Sequence, residues 1–83
     1  MTYRIQYTNE AEDGLSKLGD TQPGEVRSGA ESIIGRDPYG PGSCPVRGDR
    51  DRREVTVANA FLRYEVGGTV LVVTVLQAVA PFG

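Results

Sequence analysis

The sequence predicts an α+β fold: one strand, a helical hairpin, then three strands of antiparallel meander, with the hairpin packed on one face of a small antiparallel β-sheet (β-α-α-β-β-β). Three observations predict it. An opening stretch alternates apolar and polar residues with period two, two following stretches place apolar residues at helical spacing, and the last third returns to period two. With 83 residues, 39% apolar and 24% charged, the chain has the composition of one globular domain spanning 1–83 and the length for one core.

Tyr3, Ile5 and Tyr7 alternate with Thr2, Arg4 and Gln6, which predicts a half-buried first strand. Asn9 followed by Glu12 reads as a helix N-cap pair, and Ala11, Leu15 and Leu18 form an apolar stripe ending at Gly19. That helix is short, and Gly14 interrupts it, so tertiary packing must hold it. Asp20 or Thr21 is the expected cap of a second helix with Pro23 in its first turn. Val26, Ala30, Ile33 and Ile34 then share one face before Gly35 stops it. Residues 37–47 read as a Gly/Pro-rich loop, with three prolines and two glycines in "DPYGPGSCP".

In the meander, Ala58-Asn59 and Gly67-Gly68 are the expected two-residue turns. The second predicts Val66 facing Thr69, Tyr64 facing Leu71, Leu62 facing Val73 and Ala60 facing Val75. The first pairs Val57 with Ala60 and Val55 with Leu62 on the same, apolar side. On the other side it sets Glu54 across from Arg63, Arg52 across from Glu65 and Thr56 across from Phe61, with Val70, Val72, Thr74 and Leu76 continuing that face. Tyr3, Tyr7 and Tyr64 fit the core pattern. Tyr39 is expected to fill its loop, and 78–83 form a C-terminal tail.

A net charge of -2 and a pI near 5.0 argue against a non-specific nucleic-acid coat. Residues 1–46 carry four basic and seven acidic groups (-3), and residues 47–83 carry five and four (+1), so any polyanion site lies in the second part. There is no histidine, which removes the commonest neutral-pH acid/base group and the commonest metal ligand. We expect no metal and no cofactor. The single cysteine, Cys44, cannot close an internal disulfide and reads as a free, weakly reactive thiol. The start "MTYRIQYTNE" has no apolar signal core, and "TVLVVTVLQAVA" is too short and too β-branched to span a bilayer. Cytoplasmic residence without membrane attachment is the expectation.

The densest charge lies in "GDRDRREV" at 48–55. Arg47, Arg50, Arg52 and Arg53 alternate there with Asp49, Asp51 and Glu54, which fits a self-neutralised loop and strand entry. The competing reading is an RNA- or partner-docking edge made of Arg47, Arg50, Arg52, Arg53, Phe61 and Arg63. Phe61, Val70, Val72 and Leu76 add an apolar component to the helix-free face, as interaction surfaces do.

The order strand, helical hairpin, Asp-Pro loop and meander carrying "FLRYEVGGTVLVVTV" resembles the RelE/ParE superfamily of bacterial toxin–antitoxin systems over nearly the whole chain. "RDPYGPGSCPVRG" is similar to that family's passage from the second helix into the second strand. "ANAFLRYEV" is similar to its third strand and "GGTVLVVTVL" to its fourth. The resemblance implies ribosome-dependent mRNA cleavage or gyrase poisoning, restrained by an antitoxin partner.

The ribonuclease residues transfer poorly. The family's basic positions on the second strand fall at Glu54 and Thr56. Its third-strand arginine falls at Phe61, with Ala60 in place of the preceding tyrosine. Residues Gln77 to Gly83 supply no cation, histidine or tyrosine, and only Arg63 matches a basic position. Phosphodiester cleavage needs a proton acceptor and cations for the developing charge, and one arginine cannot supply both. The expectation is therefore a toxin-fold protein whose main act is binding an antitoxin-type protein, with catalysis absent or weak. The alternatives are an mRNA endoribonuclease working on ribosomes with an atypical set, Arg63 with Arg50, Arg52 or Arg53, or a gyrase-directed toxin. A weak homo-oligomer is compatible with all three.

Overall fold

The structure is a computed structural model and describes residues 2–18, 23–69 and 71–79. Its elements are β1 (Arg4–Tyr7), α1 (Asn9–Ser16), α2 (Pro23–Ile33), β2 (Cys44–Val46), β3 (Asp49–Val57), β4 (Ala60–Gly67) and β5 (Val72–Val79). The strands form one sheet in the order β1-β5-β4-β3-β2. The α+β class stands, with two differences from expectation. A short strand, β2, forms within the predicted 37–47 loop. In addition, β1 runs parallel to β5, pairing Ile5 with Val73 and Tyr7 with Val75, so the sheet is mixed where an antiparallel one was expected.

One face of the sheet carries both helices. Ala11, Leu15 and Leu18 from the first helix and its end, Val26, Ala30 and Ile34 from the second, and Val55, Val57, Ala60, Leu62, Tyr64, Val66, Val73, Val75 and Ala78 from the sheet form one buried cluster. Tyr3, Ile5, Tyr7 and Tyr39 pack at its margin. Ile33, expected on the core face, is exposed. It is the last residue of α2, and the core place at this end is taken by the next residue, Ile34, which is buried.

The cap of α1 is Thr8 rather than Asn9. The Thr8 hydroxyl accepts from the Ala11 amide at 3.1 Å and donates to the Leu76 carbonyl at 3.1 Å, so one side chain caps the helix and ties it to β5. Asp20 and Thr21, the expected caps of α2, and Gly19 lie outside the described residues.

The β3–β4 hairpin has the expected register throughout: Val57 faces Ala60, Val55 faces Leu62, Glu54 faces Arg63 and Arg52 faces Glu65. Ala58 and Asn59 take φ of 49° and 66°, both left-handed, as a two-residue hairpin turn matched to strand twist requires. The β4–β5 hairpin departs from expectation. Gly67 is a strand residue paired with Val72, and Tyr64 faces Val75, Val66 faces Val73 and Leu62 faces Ala78. Between Tyr64–Val75 and Arg63–Gln77 the register shifts, leaving Leu76 as the extra residue of a bulge. The Thr8 hydroxyl holds the carbonyl of that residue. A bulge switches side-chain parity, which is why Val73, Val75 and then Ala78 all face the core.

Candidate functional site

The helix-free face of the sheet is laid out in rows by the register. Thr56, Phe61 and Val79 form one row, Glu54, Arg63 and Gln77 the next, and Arg52, Glu65, Thr74 and Gln6 the third. Val70 lies outside the described residues. Cys44 on β2 stands opposite Glu54 and is an exposed free thiol.

Beside the two charged rows lies an open cleft of about 650 Å³ lined by Val46, Arg47, Asp49, Arg52, Arg63 and Glu65. Each wall has a simple origin. Arg47 takes φ 53° and Gly48 φ 78° in the tight β2–β3 connection, which brings Arg47 to the rim. Arg52, Arg63 and Glu65 project from adjacent strands with the same parity. Arg63 donates to a Glu54 carboxylate oxygen at 3.1 Å, and Arg52 donates through Nε to Glu65 at 3.1 Å. Arg63 Nε is buried without a hydrogen-bond partner among the described residues. Arg47 makes no ion pair among those residues.

Of the six residues singled out in the sequence, three converge here: Arg47, Arg52 and Arg63. Phe61 lies on the same face but at the Thr56–Val79 end, half-buried. Arg50 stacks over the Tyr39 ring at 4.9 Å. Arg53 points to the opposite face and is only 9% exposed. Its Nε donates to the Ser43 hydroxyl at 3.1 Å, one terminal nitrogen donates to the Arg50 carbonyl at 3.1 Å, and its guanidinium lies 5.4 Å from the Tyr39 ring centre. Arg53 thus braces the 37–43 segment. Tyr39 fills its loop as expected, packing against the core and donating to Asp51 at 2.7 Å.

Asp49 and Val46 were missed in the sequence reading. The adjacency of "PV" and "GD" across Arg47 was the available signal, but it becomes meaningful only once β2 exists. Chemically, three guanidiniums on one rim suit an oxyanion. The carboxylates beside them are engaged: Glu65 with Arg52, and Asp49 with the Asp51 amide at 2.9 Å.

Solved structures share this architecture. The toxin–antitoxin complex RelBE2 from Mycobacterium tuberculosis contains a chain that matches with a TM-score of 0.82 at 20% identity, over 96% of this chain and 99% of that one. The chain has the RelE fold. A mutant RelE toxin from E. coli in the free state matches with a TM-score of 0.74 at 21% identity, over 94% and 82%. The archaeal RelE–RelB complex from Pyrococcus horikoshii OT3 matches at 0.66 with 20% identity, over 96% of both chains. No protein-family model matches the sequence, and no curated protein matches it significantly. Sequence divergence within the RelE fold is therefore large here. Among the described residues, no helix is long and apolar enough to cross a membrane.

Proposed function

We propose that this RelE-fold chain is the toxin-like member of a toxin–antitoxin pair and acts mainly by binding an antitoxin-type protein, with catalysis absent or weak. The observation that carries this reading is the pairing of both central-strand arginines of the cleft, Arg63 with Glu54 and Arg52 with Glu65. Each of these cations already has a carboxylate partner, which lowers its availability to a developing phosphorane charge. The partner half of the reading draws support from the neighbours, since RelBE2 and the archaeal protein are described as complexes with an antitoxin or with RelB. The half-buried Phe61 and exposed Val79 give the open face apolar area that a protein partner would cover.

The test has two arms. Induced expression of the chain alone leaves ribosome-bound mRNA intact, and co-expression with a short companion chain encoded beside it yields a stable complex on purification. Site-specific mRNA fragments that disappear with Arg63→Ala would overturn the first arm; separate elution of the two chains would overturn the second.

Arg47 favours a second reading, an mRNA endoribonuclease with an atypical arginine set. It stands on the cleft rim without an ion pair among the described residues, beside Arg52 and Arg63. The same expression experiment decides between the two.

A further inference from the structure

We propose that Glu54 and Glu65 are intramolecular competitors for an oxyanion site built from Arg47, Arg52 and Arg63, and that a phosphate-type anion enters the cleft by displacing them. The inference rests on the reading of the open face given above and adds to it what holds the face silent.

Three features point this way. First, the three arginines reach one cleft from three different places, the β2–β3 turn, β3 and β4. Folding therefore brings together charges that are spread over 17 positions of sequence (47 to 63). Second, each carboxylate holds its arginine through one nitrogen only: Glu65 through Nε of Arg52 and Glu54 through a terminal nitrogen of Arg63. A guanidinium carries five N–H donors, so most of its bonding capacity stays unused, including the buried, unpartnered Nε of Arg63. Third, the pairs are partly open to water, with side chains 53% and 49% exposed for Arg52 and Glu65, and 42% and 28% for Arg63 and Glu54. Exposed pairs of this kind are weak. An incoming anion with several oxygens can satisfy more donors than one carboxylate oxygen does, and it gains Arg47 as well. The arrangement works as an autoinhibitory contact: the carboxylates raise the threshold for binding without closing the cleft.

Glutamine keeps the shape of glutamate and removes its charge, so Glu54→Gln/Glu65→Gln is the decisive variant. Two probes separate the sources of the anion: inorganic pyrophosphate by calorimetry, and a fluorescein-labelled single-stranded oligoribonucleotide by anisotropy. The double variant is expected to bind at least one probe about tenfold or more tighter than the wild type, as expected when charged donors lose a charged competitor. Adding Arg47→Ala abolishes the gain. Glu10→Gln/Glu31→Gln changes net charge equally at exposed helical positions and leaves affinity near the wild-type value. Glu65→Gln alone, at the more exposed pair, gives a smaller gain in the same direction and serves if the double variant does not fold. No tightening for either probe, or equal tightening in the helical control, overturns the proposal. Partner binding retained alongside such a failure would leave the function proposed above untouched. Failure of the wild-type chain to form a partner complex, alongside a gain, would count against that function alone.

Discussion

Gly14 of α1 lies directly against Ala78 of β5: a Cβ built on Gly14 would stand 2.0 Å from the Ala78 carbonyl oxygen. The absence of a side chain is what lets the helix seat on the sheet at this point. Alanine is intrinsically the better helix former by about 1 kcal/mol, yet a methyl group here has only backbone to push against. Gly14→Ala is expected to destabilise by about 1–3 kcal/mol, the range for overpacking. It should appear as a lower urea midpoint at unchanged slope.

Gly24 is the opposite case. It occupies the first turn of α2, and a Cβ there meets nothing within 4 Å. Gly24→Ala should stabilise by about 0.4–1 kcal/mol through loss of unfolded-state freedom. A destabilised Gly24→Ala would show that this turn is not helical in solution.

Ala58 supplies the third prediction. It is exposed and takes φ 49° ahead of Asn59 at 66°. A left-handed alanine costs about 1–2 kcal/mol, whereas asparagine accepts that region more readily. Ala58→Asn should raise the melting temperature by about 4–8 °C for each kcal/mol recovered in a domain of this size. An unchanged or lower melting temperature would mean that the turn opens without cost.

These positions also mark where sequence reasoning reached and where it stopped. The β3–β4 register was legible because two independent patterns agreed on it, the apolar alternation of Val55, Val57, Ala60 and Leu62 and the opposite charges of Glu54 with Arg63 and Arg52 with Glu65. The β4–β5 register was not. Gly67-Gly68 looks like a hairpin turn, and nothing in composition announces the bulge at Leu76 that resets parity. Period-two alternation is blind to strand direction, so the parallel pairing of β1 with β5 was invisible. Arg53, expected on the docking edge, shares parity with Val55 and Val57, and that parity already places it on the core side, away from Arg52.

That parity difference yields a fourth prediction on adjacent arginines. Arg53→Met leaves the Ser43 hydroxyl and the Arg50 carbonyl without their donor and removes a cation from the Tyr39 ring. The expected loss is about 1–3 kcal/mol, with faster proteolysis within residues 37–43. Arg52→Met removes only an exposed pair with Glu65 and should cost less than about 1 kcal/mol. Equal costs at the two positions would refute the bracing role.

Tyrosine ionisation is expected to set the alkaline limit of the fold. The Tyr64 hydroxyl donates to the Pro38 carbonyl at 2.6 Å, and burial pushes its pKa up, partly offset by Ser43 and Arg53. Burial likewise raises Tyr7, and a hydrogen bond to the Asp51 carboxylate raises Tyr39. A pKa higher in the folded than in the unfolded chain means that the folded state binds more protons once the unfolded tyrosine, near pH 10, begins to ionise. The contribution is complete below about pH 10 and is lost as pH rises through the folded-state values. The denaturation midpoint should therefore fall above about pH 10. In Tyr64→Phe the starting stability is lower, because the hydrogen bond to Pro38 is gone, but the alkaline fall is shallower, because one of the raised groups no longer ionises. A fall of unchanged steepness in that variant would place the alkaline limit elsewhere in the molecule.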